Sequence, residues 1–238
     1  MKYIWATGTD QGRVRERNED AVFPADGGSS EGPLLVGVAD GMGGHIAGNV
    51  ASHIAAEAVT ADAVDDGIAV ADRVSAANDA IIGVVELVPG LSGMGTTMTL
   101  GLFDGDGTLR MGHVGDSRAY LVHDGELSQI TQDHTVVAEL VELGRLSRVD
   151  AEHHPQRHLL TRSLGLGPVL VDELAVSLEE GDRVLICSDG LTTMLSDDDI
   201  AELLRSETTV EATVWNLIEA ANSAGGLDNI SVAVIDVE

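Results

Sequence analysis

The chain has 238 residues, of which 40 are acidic and 13 are basic, giving a formal net charge of −27. A surface of that charge repels nucleic acid and anionic lipid, which excludes both as partners. No apolar run approaches the roughly 20 residues that span a bilayer, and the first residues lack the apolar stretch of a signal peptide. The single cysteine, Cys187, excludes an internal disulfide and a multi-thiolate zinc site. We therefore expect a cytoplasmic protein with no membrane segment.

Apolar runs and their periodicity predict a series of strands and helices along the chain. The strands are predicted at 3–6, 34–39, 96–103, 109–114, 119–123, 183–187 and 230–237, and the helices at 46–59, 67–87, 135–143, 197–205 and 209–223. Ser196 is a favourable N-cap, and the three aspartates that follow it suit the positive end of a helix dipole. Strands at hairpin spacing, with helices between groups of strands, favour a mainly antiparallel sheet covered by helices, which is an α+β fold in a single domain of residues 1–238.

Carboxylates follow or precede the predicted strands in a repeated pattern. Three apolar runs end in Asp40-Gly41, Asp116-Ser117 and Asp189-Gly190, while Glu19-Asp20 and Asp228-Asn229 precede two other runs. In an antiparallel sheet the end of one strand lies beside the start of its neighbour, so these acids could share one edge. Crowded carboxylates repel unless cations lie between them, and Mg²⁺ and Mn²⁺ prefer oxygen ligands. The alternative is that each Asp-Gly or Asp-Ser pair is an ordinary turn.

Three arginines alternate with other residues just before Glu19, at Arg13, Arg15 and Arg17. If this segment is extended, their side chains point to one face. A guanidinium can bind a phosphate group through two parallel hydrogen bonds. The alternative is a surface cluster of ion pairs with Glu16 and Glu19.

Several of these segments, in this order, resemble the type 2C metal-dependent Ser/Thr protein phosphatases, in particular the bacterial branch of that family. The resemblance covers nearly the whole chain, from about Asp10 to Val237. Its motifs are Arg15-Glu16-Arg17-Asn18-Glu19-Asp20, Asp40-Gly41-Met42-Gly43-Gly44-His45, Gly93-Met94-Gly95-Thr96-Thr97, Val114-Gly115-Asp116-Ser117-Arg118-Ala119-Tyr120, His154-Pro155-Gln156-Arg157, Leu160-Thr161-Arg162-Ser163-Leu164-Gly165, Cys187-Ser188-Asp189-Gly190 and Asp228-Asn229-Ile230-Ser231.

The resemblance implies a four-layer α-β-β-α sandwich, with two mainly antiparallel sheets flanked by helices and two Mn²⁺ or Mg²⁺ ions at one end. Asp40 would bridge both ions, the Gly41 carbonyl would bind one of them, and Asp189 and Asp228 would complete the other. The segment at about 135–165 would form a flap beside the site.

The resemblance also implies roles around the two ions. Glu19 and Asp20 would act largely through metal-bound water, and Asp116 would bind a third, weaker ion with help from Asp189. Arg15 would hold the substrate phosphate.

One departure concerns the proton donor. Many eukaryotic relatives have histidine directly after the Asp-Gly pair, whereas here Met42 follows and His45 comes three residues later, as in the bacterial pattern. His45 is one candidate for the general acid, and a metal-bound water is another. If His45 is not the acid, it could instead cap the helix that follows it.

The implied activity is hydrolysis of phosphoserine and phosphothreonine by direct attack of a water or hydroxide that bridges the two ions, in phosphoproteins that include targets of Ser/Thr kinases. We expect a monomer. Two alternatives are a non-catalytic, phosphatase-like binding domain and a metal phosphatase of small phosphoesters.

A rival enzyme class is indicated by the segment Asp104-Gly105-Asp106-Gly107-Thr108. It matches the D-x-D-x-T signature of haloacid-dehalogenase-type phosphatases, in which the first aspartate is a covalent nucleophile. That family also needs a downstream lysine, and Lys2 is the only lysine of this chain. A hairpin turn between two strands accounts for the segment instead. Cys187 is not followed by the arginine of a cysteine phosphatase loop, and we expect it to be a buried strand residue.

Overall fold

A computed structural model describes residues 1–43, 47–64, 67–206 and 208–238. Its strands are β1 (Tyr3–Asp10), β2 (Asp20–Phe23), β3 (Gly28–Ser30), β4 (Leu34–Met42), β5 (Gly95–Thr96), β6 (Met98–Phe103), β7 (Thr108–Val114), β8 (Arg118–His123), β9 (Glu126–Gln129), β10 (Asp172–Ser177), β11 (Arg183–Cys187) and β12 (Ile230–Val237). Its helices are α1 (Ala47–Thr60), α2 (Val70–Leu87), α3 (Val136–Glu142), α4 (Arg148–Glu152), α5 (Asp189–Thr192), α6 (Asp197–Arg205) and α7 (Val210–Ser223), with a 3₁₀ turn at Pro89–Leu91.

The strands form two sheets in which neighbouring strands are antiparallel. One sheet has the order β3-β1-β12-β11-β8-β9, and the other has the order β10-β7-β6-β4-β2, with β5 paired to β4. The two terminal strands of the chain are neighbours in the first sheet, where Tyr3 lies opposite Val237. This pairing brings the start of β12 beside the end of β1.

Three apolar clusters show how the layers stack. The cluster between the two sheets contains buried residues from both of them, including Val36, Phe103 and Ile186. A second cluster joins α1 and α2 to the outer face of the β4 sheet, and a third joins α5, α6 and α7 to the outer face of the β12 sheet. Apolar faces buried on both sides of each sheet explain why the strands read as nearly continuous apolar runs. The predicted α-β-β-α sandwich is confirmed.

The predicted helices of the described residues occur within a few residues of their expected bounds, and 197–205 is reproduced as Asp197–Arg205. The Ser196 hydroxyl accepts from the Asp199 amide at 3.2 Å, and the Asp199 carboxylate accepts from the Ser196 amide at 3.1 Å. These reciprocal bonds form a capping box, which is typical of helix starts. The sequence did not predict β10, whose residues alternate between half-buried and exposed positions at the edge of its sheet.

Backbone pairing closes the segment at about 135–165 on itself and joins one of its ends to β5. Thr135 bridges to Leu160, and Leu164 bridges to Thr96 of β5. The Gly165 amide donates to the Asn78 side chain on α2 at 2.8 Å. Across the described ranges, no helix combines the length and apolar character needed to cross a membrane.

Candidate active site

The carboxylates predicted to share an edge lie at one end of both sheets. Asp20 on β2 is directly opposite Asp40 on β4. In the other sheet, Asp189 follows the end of β11 and Asp228 precedes β12, where Cys187 pairs with Val232. The Ser188 hydroxyl donates to the Asp20 carboxylate at 2.8 Å and so links the ends of the two sheets.

The charges of these carboxylates act on one another. Burial raises the pKa of Asp40 well above its ordinary value, and the neighbouring charges of Asp20, Asp189, Asp116 and Asp228 raise it further. Burial and nearby carboxylates, Asp189 among them, also raise the pKa of Asp20 and the pKa of Asp116 to about 7 each. Opposing charges would be needed to keep such a group ionised at neutral pH.

Asp20 supplies a direct test of whether a cation fits. Asp20 is buried, with 4% of its surface exposed. One carboxylate oxygen accepts from Ser188, whereas the other, Oδ1, is buried and has no hydrogen-bond partner within the described residues. A buried acceptor without a partner is costly unless a donor or a cation satisfies it. The donor set is all oxygen, which suits Mg²⁺ or Mn²⁺.

Gly41 must be glycine because three backbone segments meet there. A Cβ atom at this position would lie 2.2 Å from the Gly48 carbonyl oxygen and 2.4 Å from the Glu19 carbonyl oxygen. The Gly41 amide donates to the Glu19 carbonyl at 3.2 Å. A Cβ added to Gly48 would in turn lie 2.8 Å from both the Gly41 carbonyl oxygen and the Glu19 Oε2 atom. The close approach therefore places the Gly41 carbonyl and the Glu19 side chain in one crowded region.

Four polar residues that hold this edge together were not predicted as site residues. Asn229 accepts from the Glu19 amide at 2.9 Å and donates to the carbonyls of Gln11 and Arg17 at 2.8 Å each. Ser188 also accepts from the Ser231 amide at 2.9 Å. Thr97 accepts from the Asp40 amide at 3.0 Å and contacts the Ser117 hydroxyl at 2.8 Å. The only sequence signal for Ser188, Ser117 and Asn229 is their place beside Asp189, Asp116 and Asp228.

Arg15 reaches the same edge from the loop between β1 and β2. Its guanidinium donates to the Asp228 carboxylate at 2.5 Å, and this contact raises the pKa of Arg15. Residues 11–19 form bends rather than a strand, so the extended arrangement of three arginines on one face is not observed. Within the part of the chain that the structure describes, no ion pair joins these arginines to Glu16 or Glu19, and Arg15 pairs with Asp228 instead.

His158 is a flap residue that sequence reasoning missed. Its Nδ1 atom lies 3.7 Å from the Asp189 carboxylate, and this contact raises the pKa of His158. The other histidine considered as an acid, His45, lies outside the described residues. Among the residues that are described, no three His, Cys, Asp or Glu side chains are gathered closely enough to hold a metal ion by themselves. A cation at this edge would therefore also need the Gly41 carbonyl and water as ligands.

Two further histidines beneath the flap have structural roles. His113 is fully buried and contacts the Thr99 hydroxyl at 2.9 Å and the Gln132 carbonyl at 3.0 Å. Burial lowers the pKa of His113 to about 4. His134 contacts the Asp172 carboxylate at 3.1 Å. The same carboxylate pairs with Arg162 of the flap at 2.5 Å. These bonds fix the base of the flap against β10.

The two rival nucleophiles are not placed for catalysis. Asp104 lies in the hairpin turn between β6 and β7, where its amide donates to the Thr108 carbonyl at 2.8 Å and its carboxylate pairs with Arg110. Cys187 is fully buried as the last residue of β11, and burial raises the pKa of its thiol to about 12. A thiol with that pKa is not a thiolate at neutral pH, so Cys187 cannot act as a nucleophile.

Comparison with known proteins gives one consistent result. Residues 7–225 match the family profile Protein phosphatase 2C. The chain is 44% identical over 238 residues to the Serine/threonine protein phosphatase PstP of Mycobacterium tuberculosis, covering 98% of this chain and 45% of that protein. It is 37% identical over 244 residues to the Serine/threonine phosphatase stp of Listeria monocytogenes, covering 96% and 93% of the two proteins.

A solved structure agrees with this match. The crystal structure of the catalytic domain of PstP in complex with two manganese ions superposes with a TM-score of 0.88 at 40% identity, covering 100% of both chains. The chain spans about half the length of the M. tuberculosis relative that it matches. The family match begins within β1, includes Asp20, Asp40, Asp116 and Asp189, and ends before Asp228 and β12. This chain belongs to the Protein phosphatase 2C family.

Proposed function

We propose that this protein hydrolyses phosphoserine and phosphothreonine in phosphoproteins, with Mn²⁺ or Mg²⁺ as its cofactor. The observation that carries the proposal is the gathering of buried and half-buried carboxylates that repel one another at one edge of the sandwich, beside an arginine. Membership of a family whose bacterial relatives are named Ser/Thr phosphatases supports the same activity.

The residues of this edge divide into those that would hold cations and those that would act around them. Asp40, with the Gly41 carbonyl, and Asp189 with Asp228 would hold two ions. Glu19 and Asp20 would act through bound water, and Asp116 with Asp189 would hold a third. When bound, the ions would lower the pKa of a water molecule towards neutrality and offset charge on the phosphoryl group.

Arg15 would bind the phosphoryl oxygens of the substrate. Its guanidinium already lies at the edge of the cluster, but it is engaged by Asp228. The pair is partly exposed, with 52% of the Arg15 side chain and 31% of the Asp228 side chain accessible. Exposed pairs contribute little to stability. The Arg15 guanidinium can therefore move away from Asp228 and bind the phosphate through two hydrogen bonds. Asp228 would then be free to bind a cation.

We further propose that residues 1–238 act as one catalytic unit and that 135–165 forms a flap over the site. The bridge between Leu164 and Thr96 supports this, since it fixes one end of the segment beside β5, which pairs with Gly41 and Met42 of β4. A monomer in the cytoplasm, acting on the targets of a Ser/Thr kinase, completes the proposal.

The test is hydrolysis of a phosphothreonine peptide and of p-nitrophenyl phosphate by the purified protein, with Mn²⁺ and with chelator. We expect both to be cleaved only with the metal, and the peptide with the higher kcat/KM. Cleavage of the small ester alone would indicate a phosphatase of small phosphoesters. Binding of the phosphopeptide without release of phosphate would indicate a non-catalytic binding domain.

A further inference from the structure

Most arginines of this chain fall into two groups, while Arg73 and Arg205 donate hydrogen bonds to backbone carbonyls. In the first group, the arginine has an acidic partner in the described structure: Arg15 with Asp228, Arg110 with Asp104, Arg118 with Asp133, Arg162 with Asp172 and Arg183 with Asp236. In the second group, the side chain is exposed and forms no ion pair with any described residue: Arg13, Arg17, Arg145, Arg148 and Arg157. We call this second group the arginine rim.

Unpaired arginines are unexpected in a chain with 40 acidic and 13 basic residues. Acidic partners are abundant, and the rim residues occur in only two segments, the β1–β2 loop and the flap. The loop segment 11–17 contains three arginines and one glutamate, so it is locally positive in a molecule of net charge −27. Positive charge next to a cleft focuses the electrostatic field on anions that approach it.

Both segments border the proposed active site. The Arg13 amide donates to the Gly226 carbonyl at 2.7 Å, two residues before Asp228. The Arg17 carbonyl accepts from the Asn229 side chain at 2.8 Å. On the other side, Arg157 precedes His158, whose imidazole lies 3.7 Å from the Asp189 carboxylate. Arginines therefore flank the carboxylate cluster on the loop side and on the flap side.

We propose that the arginine rim selects phosphopeptides that carry a second anionic group close to the phosphorylated residue. The phosphoryl group being cleaved would enter the carboxylate edge, while carboxylates or a second phosphate on the flanking residues would contact the exposed guanidiniums. Arginine binds both kinds of anion through its planar fork. This inference rests on the proposed function, and it adds the class of peptide that the site accepts.

The experiment uses three phosphothreonine peptides that differ only at the flanking positions, which carry glutamate, glutamine or a second phosphothreonine. We expect the wild-type kcat/KM for the glutamate peptide to exceed that for the glutamine peptide by about tenfold, because each exposed ion pair contributes a few-fold. The ratio should fall to near one at about 1 M salt, where the Debye length is about 3 Å. A higher value for the doubly phosphorylated peptide than for the glutamate peptide would identify phosphate as the preferred flanking anion.

The two double variants remove the same amount of positive charge at different places, and the single variant Arg157→Ala removes half as much. In the double variant Arg13→Ala with Arg17→Ala, the kcat/KM for the glutamate peptide should be no more than about twice that for the glutamine peptide. Arg157→Ala should reduce this preference by less. In the control, Lys2→Ala with Arg205→Ala, the ratio should stay at the wild-type value, since Lys2 lies at the opposite end of β1 and the Arg205 guanidinium donates to the Gly125 carbonyl at 2.5 Å.

The outcomes separate the two proposals. No hydrolysis of any peptide or of p-nitrophenyl phosphate in Mn²⁺ would contradict the proposed function. Hydrolysis with equal kcat/KM for all three peptides, or a preference that survives loss of Arg13 and Arg17, would overturn the role of the rim.

Discussion

Two Asp-Gly pairs of this chain follow apolar strands in the same local sequence pattern, yet they lie in opposite electrostatic surroundings. Asp104-Gly105 follows β6 and turns into β7 within a hairpin. The Asp104 carboxylate is paired with Arg110, and the neighbouring Asp106 accepts from the Thr108 amide at 3.0 Å, a contact that lowers its pKa. Each carboxylate there has a local partner.

Asp40 and Gly41 lie near the end of β4, among carboxylates at the ends of other strands. Burial and four other aspartates raise the pKa of Asp40, and no arginine is its hydrogen-bond partner within the described residues. The difference shows that an aspartate after a strand becomes a site residue only when the sheet topology brings further acids to the same edge. The turn interpretation is correct for Asp104.

The largest expected effect is the difference in activity between a variant of Asp40 and the same variant of Asp104. Asp40→Asn should lower kcat/KM for p-nitrophenyl phosphate by about 100-fold or more, because loss of even an outer-shell partner of a metal ligand costs about 10- to 100-fold. The matched change Asp104→Asn should leave kcat/KM near the wild-type value. Steady-state kinetics in Mn²⁺ measure both. Full activity of Asp40→Asn would refute the assignment of Asp40 as a metal ligand.

A second contrast compares Arg15, which pairs with Asp228 at the carboxylate edge, with Arg110, which pairs with Asp104 in the hairpin turn. Arg15 and Arg110 each have 52% of their side chain exposed and each binds one carboxylate, which makes them matched. Arg15→Ala should raise KM by about 10- to 100-fold, since a hydrogen bond to a charged group contributes about 1.5–3 kcal/mol. Arg110→Ala should leave KM unchanged and change the free energy of unfolding by about 1 kcal/mol or less. An unchanged KM and kcat in Arg15→Ala would contradict its role in phosphate binding.

A smaller effect concerns stability as a function of pH and metal. In the folded protein the pKa values of Asp20 and Asp116 are raised to about 7, against about 3.9 for an unfolded aspartate. The folded state therefore holds protons that the unfolded state releases, and stability in chelator should fall as pH rises from about 4 to about 7. Mn²⁺ should raise the melting temperature, and by more at pH 8 than at pH 5, because protons compete with the cation.

Asp40→Asn sharpens this measurement because it removes one of the repelling carboxylates. In chelator at pH 8 this variant should melt above the wild type, despite its expected loss of activity, whereas Asp104→Asn should keep the wild-type pH dependence of the melting temperature. Differential scanning calorimetry at the two pH values provides the comparison. If the melting temperature of the wild type in chelator does not depend on pH over this range, the carboxylates do not repel one another as proposed.

The sequence predicted much of the fold because the strong signals are local. Buried strands are continuous apolar runs, α6 begins at a capping box, and α1, α2, α6 and α7 pack their apolar faces on a sheet. The edge strand β10 was missed because its half-buried and exposed positions alternate without a strong apolar pattern. The sequence did not predict the bends in the segment that carries Arg13, Arg15 and Arg17, where the Arg17 carbonyl accepts from the Asn229 side chain.

The sequence by itself determined which residue types stand at the ends of the strands, the family to which the chain belongs, and the lack of both a lysine after Lys2 and the arginine of a cysteine phosphatase loop. Only the tertiary structure decided that Asp40 gathers with other acids while Asp104 does not, that Arg15 engages Asp228, and that His158 reaches Asp189 from the flap. The physical reason is that propensity, capping and turn chemistry act over a few residues. The field at a carboxylate, by contrast, depends on charges brought close by strand pairing between residues far apart in the chain.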